Sequence, residues 1–265
     1  AASDVYKRQI KSSKISFMET NFELDDPNYY SMKFGLIVLQ SDETIEQEIR
    51  STLDESMAIY HSRIPCDQSV NNENLAKMEN DLPIAVGLLP KINFNSIGYA
   101  CTSGAAVIGS EKINKLINEQ HTNAFITDPI RAVKEALNSF GCKNIAFISP
   151  YEQSVTQKLK QNLQSNNFNI SKEKSFNESD DTVVARISEK DSLRAILEIG
   201  KNDCDAVFIS CTNLKTFKII DEAERVLNKP VVSSNQAMIW HMFRGSGNDS
   251  TKGPGMLFKQ SLTKS

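Results

Sequence analysis

Residues 96–104 read Ser-Ile-Gly-Tyr-Ala-Cys-Thr-Ser-Gly, and this stretch decides the fold. The apolar run before Cys101 is typical of a buried strand, and the residues after it are typical of a helix start. A thiol at the carboxyl end of a parallel strand lies where open α/β sheets bind ligands. It also faces free N–H groups of the following helix, which lower the pKa of a thiol and hold anions.

A second copy of this pattern surrounds Cys211, where an Asp-Ala-Val-Phe-Ile run precedes Ser-Cys-Thr-Asn. Cys211 lies 110 positions after Cys101, and the same offset separates the apolar runs that begin at Phe34 and Asn144. A shared offset indicates internal duplication. The sequence therefore predicts an α/β fold of two similar, pseudo-symmetric lobes. Each is a mostly parallel sheet flanked by helices, with the active site in the cleft between them.

Strand-like and helix-like segments alternate along both halves. Strands are predicted at 34–39, near 59–64, at 96–100, 124–127, 144–148 and 205–209; helices are predicted from Asp42, from near Asn71, through 107–117 and from Pro129. The expected division is a tail over 1–32, a first lobe over 33–141, a second lobe over 142–231, and a C-terminal helix and tail over 232–265 that returns to the first lobe. Residues 1–9 resemble a translated sequencing adaptor and are interpreted as non-native.

Composition excludes several classes of function. The net charge of −3 and the pI near 5.8 give no basic surface for nucleic acid or membrane binding. Five cysteines without a CxxC pair argue against a disulfide framework or a zinc site and favour a reducing cytoplasm. The sequence contains no phosphate-binding glycine motif and no HExxH metal motif, so neither a cofactor nor a metal is expected.

Several short motifs, in this order and spacing, resemble the PLP-independent aspartate/glutamate racemase superfamily in its branch of maleate isomerases and arylmalonate decarboxylases. Within that branch the chain most resembles the ectoine-utilisation proteins. The motifs are Gly-Leu-Ile-Val-Leu-Gln-Ser-Asp-Glu-Thr-Ile-Glu at 35–46, Gly-Tyr-Ala-Cys-Thr-Ser-Gly-Ala at 98–105, Thr-Asp-Pro at 127–129, Ser-Pro-Tyr at 149–151, Ser-Cys-Thr-Asn-Leu at 210–214, Ser-Ser-Asn-Gln-Ala at 233–237 and Trp-His at 240–241.

The resemblance implies cysteine chemistry without a cofactor. In the racemases one cysteine removes the Cα proton and the other delivers a proton to the opposite face. In the maleate isomerases the first cysteine adds to the double bond, and in the decarboxylases a glycine replaces it. Because this chain has both Cys101 and Cys211, two-base racemisation or isomerisation is the better match.

Polar residues beside the two cysteines are the expected substrate ligands. Hydroxyl and N–H donors can hold a substrate carboxylate, although Ser, Thr and Asn also cap helices. The resemblance adds a tyrosine that hydrogen-bonds the substrate, and an asparagine after a later strand end is expected to face the cleft, with an ordinary helix cap as its alternative. The residues in this set are Thr102, Ser103, Gly104, Thr212, Asn213, Tyr151 and Asn235.

Two acidic residues depart from the dicarboxylate isomerases, which have asparagine at the matching positions. These are Asp42 and Asp181, the latter aligned to within a residue or two because Asp180 adjoins it. Acidic groups there would repel a second carboxylate and attract an ammonium group. They favour an amino-acid-like substrate such as a diaminobutyrate derivative. The alternative for Asp42 is a helix cap without substrate contact.

Other functions remain open at this point. A malonate-type decarboxylase would need only Cys211, and a two-lobed protein that binds a small acid without chemistry would need neither cysteine. His61 and His241 are weaker candidates for titrating groups, and Cys66, Cys142 and Cys204 lack the Cys-Thr setting. The expected partner is a small amino or carboxylic acid, and a homodimer is implied by the resemblance.

Overall fold

The computed structural model describes residues 19–26, 29–67 and 69–262, so the adaptor-like residues 1–9 lie outside the described part. Two separate four-stranded sheets form its centre, and every strand pair in them is parallel. In spatial order the strands of the first sheet are residues 57–64, 32–39, 96–100 and 125–127, and those of the second are 169–178, 144–151, 206–209 and 231–233, which is the same order of connection twice. The expected α/β fold of two similar lobes, each with a parallel sheet, is confirmed.

The first lobe alternates strands and helices, and the two central strands of its sheet are the most deeply buried. Its elements are β1 (Met32–Leu39), α1 (Ile45–Arg50), β2 (Met57–Ile64), α2 (Asn72–Gly87), β3 (Ser96–Ala100), α3 (Thr102–Ile108), α4 (Ser110–Asn118), β4 (Phe125–Thr127) and α5 (Pro129–Ser139). Every residue of β3 is buried, which explains its near-continuous apolar sequence.

The second lobe repeats this arrangement. Its elements are β5 (Asn144–Tyr151), α6 (Gln153–Gln164), β6 (Asn169–Glu178), α7 (Asp181–Val184), α8 (Glu189–Gly200), β7 (Ala206–Ile209), α9 (Phe217–Leu227), β8 (Val231–Ser233) and α10 (Ser234–Gly245). Phe34 pairs with Ser96 in the first sheet and Ile145 with Ala206 in the second. The duplication seen in the sequence is therefore reproduced in strand register to within one residue.

Helix α10 follows the last strand of the second lobe and packs against β3, β4 and α5 of the first. In its last turn, the Arg244 guanidinium donates to the carbonyls of Phe258 at 2.6 Å and Gln260 at 3.0 Å. Leu257 and Phe258 are buried in a short 3₁₀ helix. The end of the chain, expected to be a loop or tail, is thus docked against the fold over the residues described.

One predicted helix differs from the structure. Residues 107–117 were expected to form one helix, but Gly109 separates α3 from α4 with φ of 91°. That backbone conformation favours glycine and stops a right-handed helix. In the described part of the chain, no helix is long and apolar enough to cross a membrane.

Candidate active site

Cys101 directly follows β3 and is the N-cap residue of α3. Its Sγ accepts a hydrogen bond from the backbone N–H of Gly104 at 3.2 Å and lies 3.6 Å from the Ser103 hydroxyl. Burial raises the pKa of this thiol to about 12, although both hydrogen bonds oppose the rise. The contacts that cap α3 therefore also hold the Cys101 thiol in place.

Cys211 follows β7 at the equivalent place in the second lobe. It is not a glycine, yet its φ is 117°, a strained conformation that surrounding contacts must maintain. Its Sγ accepts from the N–H of Asn213 at 3.2 Å and lies 3.0 Å from the Tyr151 hydroxyl. Burial, followed by the charge of Asp181, raises the pKa of Cys211 well above its usual value.

The two cysteine-bearing loops meet at the hydroxyl of Ser234. Its oxygen accepts a hydrogen bond from the Thr102 hydroxyl at 2.8 Å and another from the N–H of Cys211 at 3.1 Å. Beside this bridge, the Thr212 hydroxyl donates to the carbonyl of Ala100 at 3.4 Å. Ala100, next to Cys101, and Thr212, next to Cys211, are thus hydrogen-bonded to each other across the two loops. The structure brings together the two Cys-Thr pairs singled out in the sequence.

Asp181 is the centre of a buried polar network between the lobes. Its carboxylate accepts from the hydroxyl of Ser41 at 2.5 Å, the hydroxyl of Tyr151 at 3.2 Å and the amide of Asn213 at 3.1 Å. Burial raises its pKa despite these three donors. The neighbouring Asp180 instead caps α7 through the N–H of Thr182. Asp181, not Asp180, is therefore the acidic residue of the site.

The two carboxylate oxygens of Asp42 differ in their hydrogen bonds. Oδ1 accepts from the N–H groups of Thr44 and Ile45, both at 2.9 Å, which caps α1. Oδ2 is buried and accepts no hydrogen bond of full geometry among the described residues, although the adjacent Thr212 hydroxyl, which donates to the Ala100 carbonyl at 3.4 Å, is close enough to lower the pKa of Asp42. Burial raises the pKa of Asp42 to about 7. The capping role is present, and it leaves one oxygen unused.

Glu48 of α1 is a buried residue of this region that the sequence did not reveal. One oxygen accepts from the N–H groups of Thr216 at 2.7 Å and Phe217 at 3.0 Å, in the second lobe. The other accepts from the Asn235 amide at 2.7 Å. Burial raises its pKa to about 7. Its partners are more than 160 positions away in the chain, so no local pattern marks it.

The two asparagines hold loops together. The Asn213 side chain accepts from the N–H of Glu43 at 2.8 Å and donates to the carbonyls of Ser41 and Asp181. The Asn235 amide donates to the carbonyl of Thr212 at 2.8 Å as well as to Glu48. Both side chains therefore fix the Cys211 loop against the first lobe in this closed arrangement.

A small cavity of about 10 Å³, room for about one water molecule, lies next to this network. Ser103, Tyr151, Asp181 and Ser41 line it, as does Cys66, which the sequence had set aside. The segment after β2 closes it, because Ser69 forms a β-bridge with Asp180. His61 and His241 do not line it. His241 pairs instead with the Thr127 hydroxyl at 2.7 Å.

Comparisons with known proteins find relatives of this chain. A family profile described as arylmalonate decarboxylase matches residues 104–258. The maleate isomerase of Nocardia farcinica is 24% identical over 240 residues, covering 86% of this chain and 96% of the relative. The arylmalonate decarboxylase of Bordetella bronchiseptica is 28% identical over 134 residues, covering 49% of this chain and 56% of the relative.

Solved structures show the same fold. A cysteine-to-alanine variant of the maleate isomerase from Pseudomonas putida S16, solved with maleate, superposes with a TM-score of 0.81 at 21% identity. The match covers 88% of this chain and 99% of that one. A cysteine-to-serine variant of the Nocardia farcinica enzyme, with a covalently bound succinylcysteine intermediate, superposes with a TM-score of 0.80 at 22% identity, covering 86% and 98%.

Proposed function

This chain belongs to the arylmalonate decarboxylase family, and from that membership we propose that it is a cofactor-independent racemase or isomerase of a small amino or carboxylic acid. The observation that carries the proposal is the pair of buried thiols at equivalent strand ends, Cys101 and Cys211, whose loops are joined where the Thr102 hydroxyl and the Cys211 N–H both bind Ser234. Inversion of a carbon needs one acid and one base on opposite faces, and two thiols supply both. A maleate-type cis–trans isomerase is the alternative within the same class, as the maleate isomerase relatives suggest.

The proposed anion-binding side of the site lies at the start of α3. The Ser103 hydroxyl lines the cavity next to Cys101, and the backbone N–H of Gly104 already points at that sulfur. Removing a proton next to a carboxylate places negative charge on its oxygens. Fixed donors that face those oxygens stabilise this charge as it develops.

The proposed substrate carries an amino group. Asp42 offers a buried oxygen without a partner among the described residues, and Asp181 adds a second carboxylate to the same region. These groups disfavour a second substrate carboxylate and favour an ammonium. The resemblance to ectoine-utilisation proteins extends the proposal to a diaminobutyrate derivative in ectoine degradation.

The test is solvent deuterium incorporation. The protein is incubated in deuterated water with single amino acids, diaminobutyrate derivatives and maleate, and Cα deuterium and product configuration are measured. Two-base chemistry predicts deuterium incorporation with loss of optical purity, abolished in both Cys101→Ser and Cys211→Ser. Cys142→Ala, which changes a cysteine outside the site, is the control and should behave like the parent. Ligand binding without incorporation would instead support a non-catalytic binding protein.

A decarboxylase is the second candidate, and the richer set of contacts around Cys211 favours it. Tyr151 contacts Cys211, and the Asn213 N–H donates to the same sulfur. Decarboxylation needs only this cysteine to protonate the product carbanion. Release of carbon dioxide from a malonate-type acid, retained in Cys101→Ser and lost in Cys211→Ser, would select this function. For either activity we propose a cytoplasmic enzyme, since free thiols suit a reducing compartment, and a homodimer.

A further inference from the structure

A hydrogen-bonded chain leads from the thiol of Cys211 to a buried carboxylate. The Cys211 Sγ lies 3.0 Å from the Tyr151 hydroxyl oxygen, and that hydroxyl donates to Asp181 Oδ1 at 3.2 Å. Because the tyrosine proton points to Asp181, its oxygen is free to accept the thiol proton. We propose that Tyr151 is a catalytic residue that passes the proton of Cys211 to Asp181, so that the thiolate forms inside the closed site. This inference rests on the proposed function, in which Cys211 reacts.

The proton transfer balances within the three side chains. The S–H bond of Cys211 breaks as its proton moves to the Tyr151 oxygen. The O–H bond of Tyr151 breaks as its own proton moves to Asp181 Oδ1. The site holds one negative charge before the transfer, on the carboxylate, and one afterwards, on the thiolate. No oxidant, reductant or outside base takes part in this step.

The charges around Cys211 require such an exchange. The titratable groups that face it are Asp42 after β1, Tyr151 of β5 and Asp181 of α7, and Cys101 faces Tyr151 in turn. Burial and the Asp181 charge both oppose ionisation of the thiol while Asp181 is itself ionised. Neutralising Asp181 with the same proton removes that repulsion. The hydrogen bonds from Tyr151 and the Asn213 N–H then stabilise the thiolate.

The chain of hydrogen bonds continues from Asp181 to residues that line the cavity. The Ser41 hydroxyl donates to the other carboxylate oxygen at 2.5 Å and lies 3.3 Å from Cys66, which is partly exposed. The contacts of Cys101 are different, since its sulfur lies next to the Ser103 hydroxyl, the Gly104 N–H and the buried Tyr99 hydroxyl, and that tyrosine has no hydrogen-bonded carboxylate among the described residues. The two thiols therefore differ in how they reach a proton acceptor, and Cys211 is the one with a relay.

The test measures alkylation of Cys211 by iodoacetamide from about pH 5 to about pH 9, a range that includes ionisation of a raised carboxyl group and stays below the raised pKa values of the buried thiols. Peptide mass spectrometry follows Cys211 and Cys101 in the same samples. With the relay, Cys211 needs only an ionised Asp181, so its alkylation rate reaches a plateau through neutral pH. Without a relay the rate rises about tenfold per pH unit. No substrate is needed, so failure here is separate from failure of the deuterium experiment.

Three variants sharpen the result. Asp181→Asn removes the proton acceptor and should replace the plateau with a rise of about tenfold per pH unit. Tyr151→Phe should lower the plateau by about tenfold or more, because the thiolate loses a charge-assisted hydrogen bond. Asp180→Asn makes the same charge change one position away and should keep the parent profile. A parent without a plateau, or Asp181→Asn with one, overturns the proposal.

Discussion

The carboxylate of Glu48, in the first lobe, accepts the backbone N–H of Thr216, in the second lobe, at 2.7 Å. The same side chain also binds the amide of Asn235, which in turn holds the carbonyl of Thr212 next to Cys211. A buried carboxylate therefore ties the loop that carries one proposed catalytic cysteine to the lobe that carries the other. Removing it would leave buried N–H donors without a partner, which is costly.

Glu48 should make stability depend on pH. Burial raises its pKa from 4.5 to about 7, so the folded chain holds this proton more tightly than the unfolded chain. Its contribution to the free energy of unfolding is then full below about pH 4.5 and is lost as the pH rises to about 7, on the order of 3 kcal/mol. Glu48→Gln has no carboxyl group to ionise here, so its free energy of unfolding should not show this decrease with pH.

The measurement is urea unfolding of both proteins at several pH values. The free energy of unfolding of Glu48→Gln minus that of the parent should increase with pH across this window. Glu46→Gln is the control, because Glu46 lies on the same helix but pairs with Arg63 at 2.9 Å in a partly exposed ion pair. Parallel pH curves for Glu48→Gln and the parent would show that the charge of Glu48 is not linked to folding.

Ser234→Ala tests the bridge between the two cysteine loops. The substitution leaves the Cys211 N–H and the Thr102 hydroxyl without their shared acceptor, at a cost of about 1–3 kcal/mol for each group left unsatisfied. Cys211 also loses a contact that maintains its strained φ of 117°. We expect lower thermal stability and a lower kcat. Ser192→Ala is the control, since that buried hydroxyl has no partner among the described residues and its removal should be near neutral.

The sequence predicted the features that depend on local pattern. The β3 and β7 runs are apolar because the strands are buried, and the cysteines after them occupy equivalent strand ends. The duplication was readable because both lobes keep the same spacing. Strand β6 was not predicted, because it lies at a sheet edge with mostly polar and exposed residues and has no apolar alternation.

The features that the sequence did not predict depend on contacts between residues far apart in the chain. Glu48 looks like an ordinary acidic residue of a helix start, and only its contacts 168 positions away distinguish it. The choice between Asp180 and Asp181 depends on which carboxylate turns inward, and adjacent residues of one type carry no such signal. The roles assigned to the site residues remain predictions, although Cys101, Cys211, Tyr151 and Asp181 lie in one connected region.

Gly104→Ala should misplace the first thiol. A Cβ at this position would lie 2.5 Å from the Tyr99 hydroxyl oxygen and 3.0 Å from the Cys101 Sγ, so one of them must move. Displacement of a reacting group by about 1 Å can lower a rate by about a hundredfold. We expect a comparable loss of kcat with the fold retained. Gly87→Ala is the control, because its nearest neighbour is the flexible end of Gln120 at 3.1 Å. Parent-like kcat in Gly104→Ala would mean that the position of Cys101 is not critical.

Asp42→Asn tests whether the unused oxygen of Asp42 binds the substrate's ammonium group. Asparagine keeps the acceptor for the N–H groups of Thr44 and Ile45, so the start of α1 should be retained. Loss of the buried charge should raise the free energy of unfolding relative to the parent as the pH rises to about 7, as for Glu48→Gln. The ion pair should contribute about 1.5–3 kcal/mol, so KM for an amino-acid substrate should rise about tenfold or more. An uncharged or dicarboxylate analogue should be tolerated better.

In the parent, KM for the amino substrate should fall as the pH rises through about 7, where Asp42 ionises, and the variant should lose this dependence. Asp54→Asn, a change at an exposed turn, is the control. Unchanged KM values for both kinds of substrate would reduce Asp42 to a helix cap and remove the main support for an amino substrate.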